Sequence, residues 1–446
     1  RDFLTGAAIS GLAVTTLPNE AKGQAAQTAK PAVPALDDEL KGRVVNVAVI
    51  GLGVRGKEIV SNLSRMTSKF VNISYICDSF AAPTFVRRAQ AIAPAAKFEQ
   101  DYKKVLADPA VEGVFIATPS HKHKDIAVAA LNAGKHVYLE APLANNLEDL
   151  NAIYEAAMSA KGVFQPGLQV RCNGQAIHVK DFVDSGALGK VGAARAQHHV
   201  RNSWKFGWPT PEREAELNWR LSKDTSLGLV GEIGIHQIDT ATWYFKQLPT
   251  AVSGFGRIVE YSDGRSVPDT VQLNLEYPNG AKFYYDATLV NSFEGSYELF
   301  YGSVCAIMLR DQRAWMFKEG DADLIGWEVF ARKDGYKIGI PENNSGLLVG
   351  SGIALVANAT KQLAAGKTDL VNDPNSTSLY QANRVFCNSI RAGKPAYAKE
   401  PTAGHPNPKV APGIKEGYNS TVVAIKAAEA VAKNTRIVLE KEWFKV

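Results

Sequence analysis

Val44-Val45-Asn46-Val47-Ala48-Val49-Ile50-Gly51-Leu52-Gly53-Val54-Arg55-Gly56 is the stretch that decides how this chain folds. A β-branched run that stops at Gly-x-Gly-x-x-Gly reads as a buried parallel strand turning directly into a helix. Gly51 permits the tight turn and Gly53 lets the backbone approach a pyrophosphate. Gly56 lets the helix pack on the strand, and the helix N-terminus then faces the phosphate charge. The pattern alone is weak, since glycine-rich turns are common, but its surroundings fit. A second apolar run, Val71 to Cys77, ends in Asp78, 22 residues beyond Gly56, where a ribose-binding acid belongs. The stretch predicts a dinucleotide site, with a plain strand-turn-helix as the alternative.

Further along, helix and strand patterns alternate. Ala81 to Ile92 and Tyr102 to Ala107 read as helices, and Gly113 to Ala117 as a buried strand ending at Thr118-Pro119. Asp125 to Ala133 is helical and closed by Gly134, and His136 to Leu139 is the next strand, ending at Glu140. Such units in succession predict a doubly wound parallel sheet, whose ligands bind beyond the carboxyl ends of the strands. That topology places Thr118, Pro119, His121, His123 and Glu140 near the cofactor.

Beyond about Gln165 the period changes. Val271, Leu273, Leu275 and Tyr277 alternate with polar residues, and Pro278-Asn279-Gly280 turns the chain into Ala281 to Leu289, a hairpin with Asn-Gly as its two-residue turn. Strand-like runs follow at Ser296 to Tyr301, Val304 to Leu309 and Trp327 to Ala331, and Gly417 to Ala432 reads as a long amphipathic helix packing back toward the first domain. The expected fold is α/β plus α+β: an N-terminal Rossmann-type parallel sheet, then a C-terminal open, mainly antiparallel sheet. The expected divisions are an export signal or flexible arm over 1–36, an NAD-binding domain over 37–165, and a substrate and oligomerisation domain over 166–446.

At 446 residues the chain is too long for one ordinary core, so two domains are the natural expectation. The net charge of +5 is spread without a basic run, which argues against nucleic-acid binding. Cys77, Cys172, Cys305 and Cys387 lie far apart with no Cys-x-x-Cys, which argues against a zinc site. His198-His199 sits on an expected strand, where neighbours point to opposite faces, and His121-x-His123 lies in a loop beside the cofactor; no metal is expected at either. Arg1-Asp2-Phe3-Leu4 leads into an uncharged run, Thr5 to Leu17, then an Ala/Gln/Lys/Pro-rich stretch to about Pro34. This resembles the second half of a twin-arginine export signal, with a partner-wrapping arm as the alternative. The run is too short for a stable membrane span. The expected location is periplasmic or otherwise exported, and export after folding implies a tightly held cofactor.

Several motifs together resemble the Gfo/Idh/MocA family, the glucose-fructose oxidoreductase and inositol dehydrogenase type of sugar oxidoreductase. They are Gly51 to Gly56, Ile76-Cys77-Asp78, Ala117-Thr118-Pro119-Ser120-His121-Lys122-His123, Gly134-Lys135-His136-Val137-Tyr138-Leu139-Glu140, Asp184 to Gly189, Trp219-Arg220, and Gly231 to Asp239. The resemblance implies a homo-oligomer, a dimer or tetramer, and a sugar or glycoside substrate. It assigns Gly51, Leu52, Gly53, Val54, Arg55, Gly56, Asp78, Thr118, Pro119, Ser120, His123, Glu140, Ala141, Trp219 and Arg220 to the cofactor, and His121 to the substrate. Asp78 favours NAD over NADP, because a 2′-phosphate there would bring like charges together; Arg87 and Arg88 more simply face solvent.

Gly231 to Asp239 reads as a helix start with Glu232, His236 and Asp239 at i, i+4 and i+7, sharing one face. By resemblance His236 relays the substrate's hydroxyl proton, and Glu232 stands where the family carries Asp. One departure matters most. The family's Glu-Lys-Pro, whose lysine helps polarise the hydroxyl being oxidised, reads here Glu140-Ala141-Pro142. Arg171 or Lys205 is a candidate replacement cation. Alternatively the reaction is redox-neutral, as in the NAD-retaining glycoside hydrolases that resemble this family, which oxidise carbon-3, eliminate, hydrate and return the hydride. A third reading is an inactive nucleotide-binding sensor.

Overall fold

The structure, a computed structural model, describes residues 42–66, 68–323, 333–338, 347–356, 375–399 and 409–445. Among these, six strands build a wholly parallel sheet: β1 (Val45–Ile50), β2 (Val71–Cys77), β3 (Lys97–Glu99), β4 (Gly113–Ile116), β5 (His136–Leu139) and β6 (Phe164–Pro166). Their spatial order is β3-β2-β1-β4-β5-β6, so the strand order reverses between β1 and β4, the place where such sheets hold ligands. Val45, Val47, Val49, Val114 and Phe115 are fully buried, as expected of strands covered on both faces. The covering helices are α1 (Val54–Arg65), α2 (Pro83–Ile92), α3 (Tyr102–Ala107), α4 (His123–Asn132) and α5 (Leu147–Ser159). All the elements read from the sequence in this half are present, with ends displaced by a residue or two.

After α6 (Gly174–Asp184), β7 (Val191–His199) starts the second sheet. It continues through β8 (Ala251–Arg257), β9 (Thr270–Glu276), β10 (Lys282–Thr288), β11 (Ser296–Gly302), β12 (Cys305–Arg310), β13 (Arg313–Lys318), β14 (Lys333–Ile338) and β15 (Leu347–Ala354). A separate ribbon joins β16 (Tyr397–Lys399) to β17 (Lys409–Val410), and β18 (Arg436–Val438) closes the far edge against β8. The order is β14-β15-β13-β12-β11-β7-β10-β9-β8-β18, antiparallel except for the β7–β10 pair. The strand read at Trp327 to Ala331, like the arm over 1–36, lies outside the described residues.

The β9–β10 hairpin corrects one expectation. Tyr277 N–H bonds Ala281 O at 3.0 Å and Gly280 has φ +85°. The loop therefore has three residues, Pro278-Asn279-Gly280, rather than a two-residue Asn-Gly turn. Proline pre-sets the first position of a type I turn, and glycine takes the left-handed position after it.

Alternation along the strands gives the second sheet two unlike faces. Val271, Leu273, Leu275, Phe283, Tyr285, Ala287 and Phe300 point inward and are buried, whereas Phe255, Tyr284 and Tyr301 on the outer face are exposed by 61%, 50% and 41%. The inner face is covered only in part by α8 (Gly228–Glu232) and α9 (Gly234–Phe245), while the short α7 (Glu214–Leu217) lies before them in the chain. Two late helices complete both cores: α10 (Ser378–Ala392) and α11 (Ile414–Lys433). Helix α10 was not read from the sequence, and it belongs to the parallel sheet. Phe386 packs 5.0 Å from the Phe115 ring and 5.8 Å from Tyr138, and Gln165 Nε2 donates to Ala382 O at 3.0 Å. Helix α11 touches both sheets, as expected of it: Gly254 on β8 closes against Val431, while Thr421 Oγ1 accepts from Leu143 N and Tyr418 O–H donates to Asn151.

Candidate functional site

The tight turn after β1 is made by two glycines that could not be anything larger. A Cβ on Gly51, whose φ is +91°, would stand 2.7 Å from the Ala117 carbonyl carbon, and one on Gly56 would stand 1.8 Å from Gly51 O. Gly53 differs, since a Cβ there would meet no protein atom within 4 Å. Gly53 is also the N-cap of α1, with no side-chain cap for the first amides. An open cradle beside uncapped helix amides suits a pyrophosphate, which fits a dinucleotide. Asp78 helps to shape the turn: its Oδ2 accepts from Leu52 N at 2.7 Å and its Oδ1 from Phe80 N at 2.9 Å. Burial raises its pKa against those two bonds.

These groups line a cleft of about 550 Å³, within the range of cofactor and substrate pockets. Of the residues singled out from the sequence, it is walled by Gly51, Leu52, Gly53, Val54, Arg55, Asp78, Thr118, Pro119, Ser120, His123, Glu140, Ala141, Trp219, Arg220, Glu232 and His236. Gly56 stands behind the turn. His121, Arg171, Lys205 and Asp239 are not on the wall. His123 is a brace as much as a wall residue, since its ring nitrogens face the carbonyls of Pro142 (3.0 Å), Leu143 (3.2 Å) and Thr118 (2.9 Å).

The chemistry-bearing corner lies where α8 meets α9. The expected single helix through Gly231 to Asp239 is broken: α8 ends at Glu232, α9 begins at Gly234, and Ile233 between them has φ −120° and ψ −56°. Gly234 is pressed onto the Tyr285 ring, where a Cβ would come within 2.9 Å, so the sheet beneath dictates the break. Glu232 and Asp239 consequently have different surroundings. Glu232 Oε1 accepts from Ser120 Oγ and Ser226 Oγ, both at 3.1 Å, beside the Arg220 charge, and burial raises its pKa. Asp239 turns away from the cleft, bonded at 2.8 and 2.9 Å to Arg171 Nε and Nη2 and at 2.6 Å to Ser420 Oγ. That pairing consumes Arg171. Lys205 lies beside the Trp208 ring (5.3 Å) and Glu214 (3.9 Å). Neither lines the cleft with Ala141.

A cation on the cleft wall beside Glu140 is Arg55. Its Nε is 3.8 Å from Glu140 Oε1 and its Nη1 donates to Glu58 at 2.8 Å; burial opposes its charge, but these carboxylates hold its pKa above the ordinary value. Burial, aided by the Arg55 charge, pushes the His236 imidazole down to about 4, and His198 on β7 adds to the shift while Asp239 opposes it. Among the described residues no hydrogen-bond partner meets five buried atoms of wall residues: His236 Nδ1, Thr118 Oγ1, Glu140 Oε1, Arg213 Nε and Arg220 Nε. Buried polar atoms left unpaired are costly, and a bound ligand is the simplest source of their partners. The wall also includes residues not picked out from the sequence: Phe85, Gln100, Phe206, Arg213, Glu216 and Leu217. The last four come from the irregular segment after β7, which carries no periodicity to find it by.

Parallel sheet, reversed strand order and glycine cradle together define a dinucleotide-binding protein with a second sheet domain closing its cleft. A family model described as "Oxidoreductase family, NAD-binding Rossmann fold" matches residues 45–168, and one for the GFO/IDH/MocA C-terminal domain matches 177–303. The chain belongs to the Gfo/Idh/MocA oxidoreductase family. It is 31% identical to a levoglucosan dehydrogenase of Pseudarthrobacter phenanthrenivorans over 32% of this chain and 35% of that one. It is 24% identical to a 2,7-anhydro-N-acetylneuraminate hydratase of Escherichia coli over 53% of this chain and 60% of that one. The matches thus span between about a third and three-fifths of those relatives. The solved structure of a levoglucosan dehydrogenase with NADH and levoglucosan superposes with a TM-score of 0.66, covering 90% of this chain and all of that one, at 20% identity; at that identity the likeness is one of fold.

Proposed function

We propose that the protein is an exported NAD-dependent oxidoreductase of a sugar or glycoside, with His236 as the acid-base group. The observation that carries this is the neutral, half-buried His236 on the wall of the same cleft as the Gly51–Gly56 turn, with its Nδ1 buried and unpartnered. A base must be unprotonated at working pH to take the hydroxyl proton, and burial together with Arg55 keeps this imidazole so. NAD, when bound, would accept the hydride from the carbon that bears that hydroxyl. Glu232, fixed by Ser120 and Ser226, orients the helix junction, and Arg55 offers the positive charge that Ala141 cannot. Asp78 at the end of β2 supports NAD over NADP.

The hydratase among the relatives and the alanine at 141 support a second reading, a redox-neutral elimination and hydration with the cofactor retained. One experiment separates them. Purified protein is incubated with levoglucosan, 2,7-anhydro-N-acetylneuraminate and aryl glycosides, with and without NAD. Net NADH supports the first reading, product without net NADH the second, and bound nucleotide without turnover of any of them an inactive sensor.

Export is proposed from Arg1 to Pro34 alone, and fusion of that segment, behind an added initiator methionine and arginine, to a folded reporter tests it. An oligomer is proposed from the exposed Phe255, Tyr284 and Tyr301 on the open sheet face. Phe255→Lys should shift the mass measured by light scattering.

A further inference from the structure

Between β7 and α8 the chain leaves the second sheet and returns to the rim of the first. Asn218 ties this excursion into a loop, accepting from Phe206 N at 2.7 Å and donating at 3.1 Å to both Phe206 O and Glu214 O. The far side of the loop rests on residues that follow Asp78. The Arg213 guanidinium lies 4.6 Å over the Phe80 ring and pairs with Glu216. Glu216 Oε1 accepts from Ser79 Oγ at 3.4 Å and lies 3.7 Å from Lys122 Nζ. Arg213 and Glu216 both face the cleft, the Arg213 charge reaches Asp78, and Arg213 Nε is buried without a hydrogen-bond partner.

We propose that residues 206–218 are a clasp over the ribose and adenine end of the bound dinucleotide, and that Arg213 is the positioning residue that sets how long the cofactor stays. The inference rests on the cofactor reading above and deepens it. Asp78 marks the ribose end, because it ends the second strand after the glycine turn. Arg213 stands across from it with a free N–H directed at neither Phe80 nor Glu216. The clasp is held to the rim by one cation–π contact, one partly exposed ion pair and one long hydrogen bond, Arg213 on Phe80, Glu216 to Lys122 and Ser79 to Glu216. Contacts of this kind are individually weak and screened by salt, so the loop can open without unfolding either sheet. A latch of this type acts on dissociation far more than on association.

The test uses the full chain loaded with NADH, and NADH fluorescence follows its release into excess NAD, at about 20 mM and 500 mM NaCl. In the wild type the release rate should rise several-fold with salt. Arg213→Ala should release NADH at least tenfold faster at low salt, with an association rate within about threefold of wild type and little remaining salt dependence. Arg213→Lys, which keeps the charge, should recover part of the slow release, which a merely structural role would not predict. Glu216→Gln should fall between them. A release rate within twofold of wild type in folded Arg213→Ala, or a loss confined to association, would overturn the clasp while leaving the cofactor reading intact. A wild type that binds neither NADH nor NAD would overturn that reading and the clasp with it.

Discussion

The turn at Gly51–Gly56 and the helix junction at Glu232–His236 face one cleft but are built in opposite ways. The turn is made of backbone: Gly51 and Gly56 are fixed by distances to other main-chain atoms, Gly53 leaves an open cradle, and the turn's one acid, Asp78, is bonded to Leu52 N and Phe80 N. The junction is made of side chains whose charges oppose each other: Arg55 against Glu140, Arg220 against Glu232, and a neutral imidazole between. The contrast teaches that binding at this cleft is a matter of shape, whereas its chemistry is a matter of charge. The two should fail separately.

His236→Ala is the largest test of that separation. Turnover of the best sugar substrate should fall about 10²–10⁴-fold, the usual loss for a positioned base, with the NADH dissociation constant within about threefold of wild type. A parallel loss of cofactor affinity would merge the two regions. Asp239→Asn comes next and should act on stability. It leaves the half-buried Arg171 without its counter-charge, a loss of up to about 3–5 kcal/mol, the figure for a fully buried pair, read by urea unfolding. An unchanged midpoint would mean the pair is a surface contact.

Two glycine substitutions sharpen the comparison within the turn itself. Gly53→Ala meets no protein atom, so its melting temperature should stay within a degree or two of wild type while NADH affinity drops about tenfold, or 1.4 kcal/mol. Gly56→Ala drives a methyl into Gly51 O and should lower both. If Gly53→Ala binds NADH as well as wild type, the pyrophosphate does not lie there.

The last test concerns the pH dependence of folding. Burial pushes His123, His198 and His236 down to about 4, so between the ordinary value near 6.5 and that value the unfolded chain binds more protons than the folded one. Stability is fully present above about pH 6.5 and falls as pH drops toward 4, by about 1.4 kcal/mol per unit for each imidazole. His198→Gln should lessen the slope. A flat unfolding midpoint over that range would mean these rings are hydrated.

The turn was legible in the sequence because steric demand on backbone leaves few residue choices: Gly51, Gly53, Gly56 and Asp78 all lie where spacing puts them. The junction was legible only in part. Periodicity placed Glu232, His236 and Asp239 on one helix face, but Gly234 yields to Tyr285 from a distant strand, and the helix breaks. Arg171 carried no mark that Asp239 would claim it, because that pair joins residues 68 apart in sequence. Arg213 and Glu216 were invisible for a further reason. Their segment has no period, and its place over the cleft depends on the first sheet's rim. Helix α10 differs, since Thr377 caps its start and Gly393 ends it in the left-handed region; its own sequence marks a helix, and only the sheet it covers is not legible there.

That last element bears on how the protein is made. Phe386 seals Phe115 and Tyr138, and Gly113 lies against Ile390. A ribosome releasing the chain from its N-terminus delivers all six strands of the parallel sheet by Pro166, yet withholds the helix that roofs β4 and β5 until after residue 392. For more than two hundred residues of synthesis the nascent nucleotide half has an apolar roofline with nothing on it. Closing it is a contact of high sequence separation, the slow kind. The first half of this protein therefore becomes a finished fold only when the last quarter arrives.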